Sequence, residues 1–371
     1  MNTILNNRSE PVHIMTLEAD DRTEFFFTVT PRDNDSPENM LARLAEAARD
    51  VNAQPVALDV FGGPGSGANR AALLGDAFGD VAFPVTWVEE KSGQASRLAG
   101  LQAWGVSGAP VQPLVFEGNM LGACFDTPNF RYCRLGGVTP PDIACAPSEQ
   151  ADAVFRHMDA ALRMNDMHFN QVARTWFFNH HLLDWYDVFN AVRDSFFREH
   201  NVYDNLVPAS TGIEGGNPVG AALVAGALAA APCNADVGVC AVPSPLQCAA
   251  IEYGSSFSRA TEIHEPGLRR LYISGTASIS PDGESQFPGD VAAQVTRTME
   301  VAGAILESRN MDLANTARIT GYFKHAEDIP AFETWRAETN APAVPIVLVH
   351  NDVCRDDLLF EIELDAISVD E

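Results

Sequence analysis

Cys354-Arg355-Asp356-Asp357-Leu358-Leu359-Phe360-Glu361-Ile362-Glu363 is the stretch on which the reading of this chain turns. From Leu358 onward, large apolar residues bracket Glu361, the pattern of a buried strand. A carboxyl group in such a strand is costly unless a hydrogen-bond partner or a chemical task accounts for it. Loss of water disfavours the carboxylate, so the group holds its proton closer to neutral pH and can act as a general acid. The plainer alternative is a structural carboxylate that accepts backbone N–H bonds.

Upstream of this strand the sequence repeats itself. Gln150 and Gln294, and Ala173-Arg174 and Ala317-Arg318, stand in matching contexts 144 residues apart. In each copy a glycine-containing strand comes first, Arg134-Leu135-Gly136-Gly137-Val138 and Tyr272-Ile273-Ser274-Gly275-Thr276. A helix beginning near Gln150 or Gln294 follows, with apolar residues at helical spacing: Val154, Met158, Ala161, Leu162 and Met299, Ala302, Ile305, Leu306. Strands over 172–178 and 317–323, helices over 182–197 and 329–339, and a closing strand pair complete the two copies.

The first third is a weaker copy, with a strand over 25–29, an amphipathic helix over 38–51 and a strand over 56–61. The chain thus divides into units over 1–115, 130–240 and 250–371, with linkers expected over 110–129 and 232–245. Residues 219–231 are rich in alanine and read locally as a helix. Their place in the repeat predicts a strand, and the strand is preferred.

The composition excludes several functions. Lys+Arg 24 against Asp+Glu 50 gives a net charge of −26, which opposes nucleic-acid binding. An anionic substrate would have to be held by local arginines against the field of the whole protein. The basic residues are nearly all arginine, since only Lys91 and Lys324 are lysines. No secretory signal opens the chain, and the longest apolar run is too short to span a bilayer. The seven cysteines show neither a CxxC pair nor a zinc spacing, so a reduced, cytoplasmic setting without metal or cofactor is expected. His180-His181 would point to opposite faces of a strand and could not share an ion. The glycine-rich 61–70 stretch, with Gly62, Gly63, Gly65 and Gly67, lacks the order of a phosphate loop and reads as a flexible connection.

Units with a Ser-Gly strand early and a Glu-Ile-Glu strand late resemble the RidA/YjgF fold, whose simple members are homotrimers with clefts between subunits. Three such units in one chain resemble the chorismatases. The resemblance rests on Arg174-Thr175-Trp176-Phe177, on Trp185-Tyr186-Asp187-Val188-Phe189-Asn190-Ala191-Val192-Arg193, on Pro208-Ala209-Ser210-Thr211-Gly212-Ile213 and on the closing Cys354-Arg355 and Glu361-Ile362-Glu363. It covers residues 130–371 well and the first third poorly. It implies an α+β fold of three tandem chorismate-mutase-like β-α-β-β-α-β units. These would form a pseudo-trimer around a central barrel in a monomer, with the working cleft between the second and third units.

The resemblance also implies a reaction, the removal of pyruvate from chorismate. Glu361 would protonate the enolpyruvyl methylene, and water attack would release pyruvate and leave a dihydroxycyclohexadiene carboxylate. In one subgroup a cysteine placed as Cys354 is, seven residues before the glutamate, diverts the ring to 3-hydroxybenzoate. Two substrate carboxylates require arginines. Arg174 is the best match, Arg355, Arg193 and Arg318 are further candidates, and Tyr186 and Thr211 are expected at the cleft. Simple RidA deaminases carry a substrate-binding arginine upstream of the glutamate, where this chain has Pro345 and Ile346. An imine deaminase and a non-enzymatic small-ligand binder remain the alternatives.

Overall fold

The computed structural model describes residues 2–9, 11–63, 69–91 and 97–369. Gly65 and Gly67 of the glycine-rich stretch lie outside the described residues. The first unit contains β1 (Thr3–Ser9), β2 (Val12–Glu18), β3 (Thr23–Val29), α1 (Pro37–Asp50), β4 (Gln54–Gly63), α2 (Arg70–Phe78), β5 (Val85–Val88) and β6 (Arg97–Ser107). The second contains β7 (Gln112–Phe116), β8 (Asn119–Asp126), β9 (Phe130–Val138), α3 (Pro147–Arg163), β10 (Val172–Asn179), α4 (Leu182–Glu199), β11 (Ala209–Glu214) and β12 (Leu223–Pro232). The third contains β13 (Gly238–Val242), β14 (Ala260–Glu265), β15 (Leu268–Ala277), α5 (Val291–Glu307), β16 (Thr316–Phe323), α6 (Pro330–Thr339), β17 (Ile346–His350) and β18 (Phe360–Val369).

Each unit makes one six-stranded mixed sheet of the same topology. The orders are β1-β2-β3-β6-β4-β5, β7-β8-β9-β12-β10-β11 and β13-β14-β15-β18-β16-β17. Among the described strands, only the outermost pairs β4/β5, β10/β11 and β16/β17 are parallel. The register repeats as well, since β4, β10 and β16 each carry a bulge at the same place against the last strand of their unit. The fold is therefore the expected α+β arrangement of three tandem units, and the degenerate first third still builds a complete sheet. A three-stranded meander precedes the first helix of each unit, where a single strand was expected.

Local signals account for the helix starts. Ser36, Asn69 and Asp290 accept backbone N–H bonds at the first turns of α1, α2 and α5, and Pro37 and Pro147 open α1 and α3. The helices of each unit pack on one face of its own sheet over a separate apolar core. The opposite faces of the three sheets meet in a shared core that includes Phe61, Trp104, Tyr132, Trp176, Tyr272 and Tyr322.

The two glutamines of the repeat do the same work in both copies. Gln150 donates to Cys145 O (2.8 Å) and accepts from Ala222 N (2.8 Å), just before β12. Gln294 donates to Asp357 O (2.8 Å) and accepts from Leu359 N (2.7 Å), just before β18. Each clamps the segment that enters the last strand of its unit.

Residues 219–231 fall largely in β12, as the repeat predicted and the alanine content did not. The expected linkers hold structure instead, the β7–β8 hairpin and β13, because the meander strands are short and mixed in polarity. His180 and His181 sit on a turn and not on a strand. His181 has φ 54° and the two ring centroids stand 4.0 Å apart at a 31° tilt, so the opposite-faces argument does not apply. Gly62 is left-handed (φ 98°), with its Cα against the backbone of residues 97–99, which explains one of the clustered glycines.

Candidate active site

β18 is buried along nearly its whole length and alternates in character. Phe360, Ile362, Leu364 and Ala366 enter the core beneath α5 and α6. Glu361, Glu363 and Asp365 therefore project together from the other face, toward the first and second units. Three carboxyls in one row require different solutions.

Glu363 is fully paired. It accepts from Arg174 (2.5 Å), Arg318 (2.6 Å), Trp176 Nε1 (3.1 Å) and the Thr211 hydroxyl. Asp365 accepts from Arg318 Nε (2.7 Å), and Arg318 also approaches Asp59 (3.5 Å), which pairs with Arg134 (3.0 Å). The guanidinium carbons of Arg134, Arg174 and Arg318 stand 4.2, 4.9 and 5.1 Å from the Trp176 ring centroid. This buried network joins three acids to three arginines and closes at zero net charge. The arginines hold Glu363 below the usual carboxylate range despite its burial.

Glu361 lies outside that balance. It is 4 % exposed and makes no side-chain hydrogen bond among the described residues. Burial foremost, and then the charge of Glu363, push its pKa up to about 8, against the pull of Arg174, Arg259 and Arg355. It is thus a carboxylic acid at neutral pH. Its carboxyl fits because Gly275, in the bulged part of β15, has no side chain; a β-carbon there would overlap Oε1. That bulge is held by Ser274, which accepts from Ser210 N (2.9 Å) and donates to Ser258 O (2.5 Å), tying the second unit to the third.

Glu361 forms part of the lining of a cavity of about 250 Å³ between the second and third units. α4 contributes Tyr186, Asp187, Asn190 and Arg193, of which the first, third and fourth follow the i, i+4, i+7 spacing of one helix face. Ser210 and Gly212 of β11, Arg259, and the Cys354-Arg355 pair complete the polar wall. Arg193 donates to Asn190 (2.7 Å), Arg259 to Cys248 O (2.9 Å) and Arg355 to Gly283 O (2.8 Å), so each guanidinium is oriented from behind. The Cys354 thiol is pushed up to about 12 by burial and by Glu361, so it is a neutral thiol.

Of the expected site residues, Glu361, Cys354, Tyr186, Arg193 and Arg355 are brought together here. Arg174, Arg318 and Thr211 are not among the lining residues. They are committed to Glu363, one step along β18, because a buried carboxylate draws the nearest cations to itself. Arg259 and Asn190 were missed. The helical spacing from Tyr186 to Arg193 contains Asn190, whereas nothing near Arg259 in the sequence marks it.

The repeat offers an internal control. Tyr322 pairs with Glu361, and the same register pairs Phe178 with Val224 and Phe61 with Gly100. Val224 and Gly100 therefore occupy the position of the acid in the other two units. A larger cleft of about 620 Å³ lies between the third and first units, where β17 and α6 take the places of β11 and α4. Gly100 stands where the acid would, Val347 fills the space beside it, and the carboxyls that line this cleft, Glu90 and Glu333, come from other positions. Chemistry, rather than size, marks the smaller cavity.

The fold as a whole is that of the chorismatases. A crystal structure of a chorismatase superposes with a TM-score of 0.64 at 19% identity, over 94% of this chain and 100% of that one. In sequence, part of the chain is similar to chorismatases and a 3-hydroxybenzoate synthase. It is 34% identical over 118 residues to a chorismatase of Streptomyces rapamycinicus, which is 29% of this chain and 35% of that protein. It is 31% identical over 103 residues to a 3-hydroxybenzoate synthase of Streptomyces hygroscopicus, 25% of this chain and 30% of that protein. The matched stretches span about a third of the length of these curated relatives. No family model matches the chain.

Proposed function

We propose that the chain removes pyruvate from chorismate, with Glu361 as the general acid. The observation that carries this reading is an acid of pKa about 8 in the wall of a cavity that also presents Arg193, Arg259 and Arg355. Proton transfer to carbon needs a neutral acid held in place without competing hydrogen bonds, and Glu361 meets both conditions. The arginines suit a substrate with two carboxylates.

Glu361 gives its proton to the methylene of the enolpyruvyl ether, and the positive charge develops on the ether carbon. Water adds there, and its proton returns to the Glu361 carboxylate. The resulting hemiketal collapses to pyruvate and a dihydroxycyclohexadiene carboxylate. The neutral Cys354 thiol, beside Glu361 in the same wall, supports the variant outcome in which the ring leaves as 3-hydroxybenzoate with no net uptake of water. Ring carboxylate and enolpyruvyl carboxylate are divided among the three arginines.

The test is incubation of the purified chain with chorismate while pyruvate is measured, with Glu361→Gln as control. Pyruvate from the wild type and none from the variant is the expected result, and the ring product in the same tube reports on Cys354. No pyruvate at high enzyme concentration would sink the assignment and turn attention to imine substrates.

A further inference from the structure

A second constellation lies on the helix-side face of the third sheet, away from the cavity. Cys240 and Glu262 are direct cross-strand partners on β13 and β14, and His264 follows Glu262 by two residues on the same face. One donor atom from each, a sulfur, a carboxylate oxygen and an imidazole nitrogen, lie within 4.8 Å of one another. We propose that Cys240, Glu262 and His264 form a binding site for a divalent transition metal of the zinc type.

The donor set fits the ion. Zinc takes thiolate, imidazole and carboxylate together, and three protein ligands leave a fourth position for water. In a tetrahedral site neighbouring donors stand about 3.5 Å apart, so small side-chain rotations would close this one. Two surrounding features are already in place. Gly238 is the cross-strand partner of His264, and a β-carbon there would lie 2.9 Å from the imidazole Cε1, so the glycine gives the ring its room. Arg309, at the end of the turn after α5, donates to Glu262 Oε2 (2.8 Å) and Oε1 (2.5 Å). Each carboxylate oxygen retains a second lone pair, and ligating carboxylates are commonly held from behind in this way.

Metal binding must displace the Cys240 proton, because the thiolate is the ligand. Binding therefore releases a proton. The ion would join β13, the edge strand of the third sheet, to β14. Glu262 and His264 alone mark no site in the sequence, because the third donor, Cys240, comes from the neighbouring strand.

The experiment is titration of the metal-free full chain with Co2+ under reducing, anaerobic conditions, read by absorbance. The expected result is one equivalent bound, a thiolate-to-cobalt charge-transfer band, and displacement by Zn2+. Cys240→Ser abolishes the band, and His264→Ala weakens binding by at least about tenfold. Arg309→Gln, which keeps all three ligands, weakens it by about 10–100-fold. Cys233→Ser, a change at an exposed thiol elsewhere, leaves the titration unchanged. A band that persists in folded Cys240→Ser, or no thiolate band in the wild type at millimolar cobalt, overturns the proposal.

Discussion

Replacing Glu363 by glutamine isolates the electrostatics of the acid. The two side chains are alternate residues of β18 on one face, so their α-carbons stand about 7 Å apart. At an effective dielectric constant of about 20 the repulsion is about 2 kcal/mol, equivalent to between one and two pH units. The acid must be protonated to work, so activity is present below its pKa of about 8 and is lost as pH rises through it. Without the Glu363 charge, and with Arg174 still near, that limb moves down by about one to two units. At pH 7.5 kcat/KM should fall about tenfold, while at pH 5.5 the variant should approach the wild type. The assay is the pH profile of pyruvate release from chorismate. Arg174 and Arg318 would face a neutral amide, which costs about 3–5 kcal/mol of stability, so the profile is read only where circular dichroism shows a folded chain. A folded variant whose alkaline limb does not move refutes the reasoning.

Glu361→Gln should be more stable than the wild type, because the folded state raises this pKa from 4.5 to about 8. Between those values the folded chain holds a proton that the unfolded chain has lost, so the gap in melting temperature widens as pH rises toward 8 and then stays constant. Its ceiling is on the order of 5 kcal/mol, and equal melting curves at pH 4 and pH 8 would contradict it. Gly275→Ala should leave the fold intact and cut kcat by at least about 100-fold, since the new methyl takes the place of the Glu361 carboxyl. Wild-type turnover in a folded Gly275→Ala chain would show that the acid works from another position. Gln294→Ala should free the segment before β18. Hydrogen exchange at Leu359 N would rise before global stability changes, and unchanged protection there would count against the clamp.

Much of this architecture was legible because helices and last strands obey strong periodicities. The 144-residue repeat of Gln150 and Gln294 marked a real clamp, and the repeat correctly turned an alanine-rich segment into β12. The edge strands β7 and β13 escaped notice because five-residue strands carry little pattern beside the turn residues around them, and β8 because Gly122 and Ala123 weaken its apolar run. The acid was readable from its apolar neighbours, and Cys354 and Arg355 from their nearness to it. Which arginine serves which carboxylate was not readable. The sequence marks Arg174 and not Arg259, and only the fold shows that Glu363 claims the first while the second lines the cavity.

The matching registers of β6, β12 and β18 have a consequence for ancestry. In a trimer of identical chains, any residue placed on the last strand recurs three times around the axis. Three copies of the Glu361-Glu363-Asp365 row would crowd the centre with repelling charge, and no copy could supply arginines without all doing so. Joining the copies in one polypeptide releases each from the others' mutations. β18 could then gather acids while β10 and β16 gathered arginines, and Gly100 and Val224 could drift to fillers. A single acid needs three last strands of different sequence, and tandem units in one chain supply them.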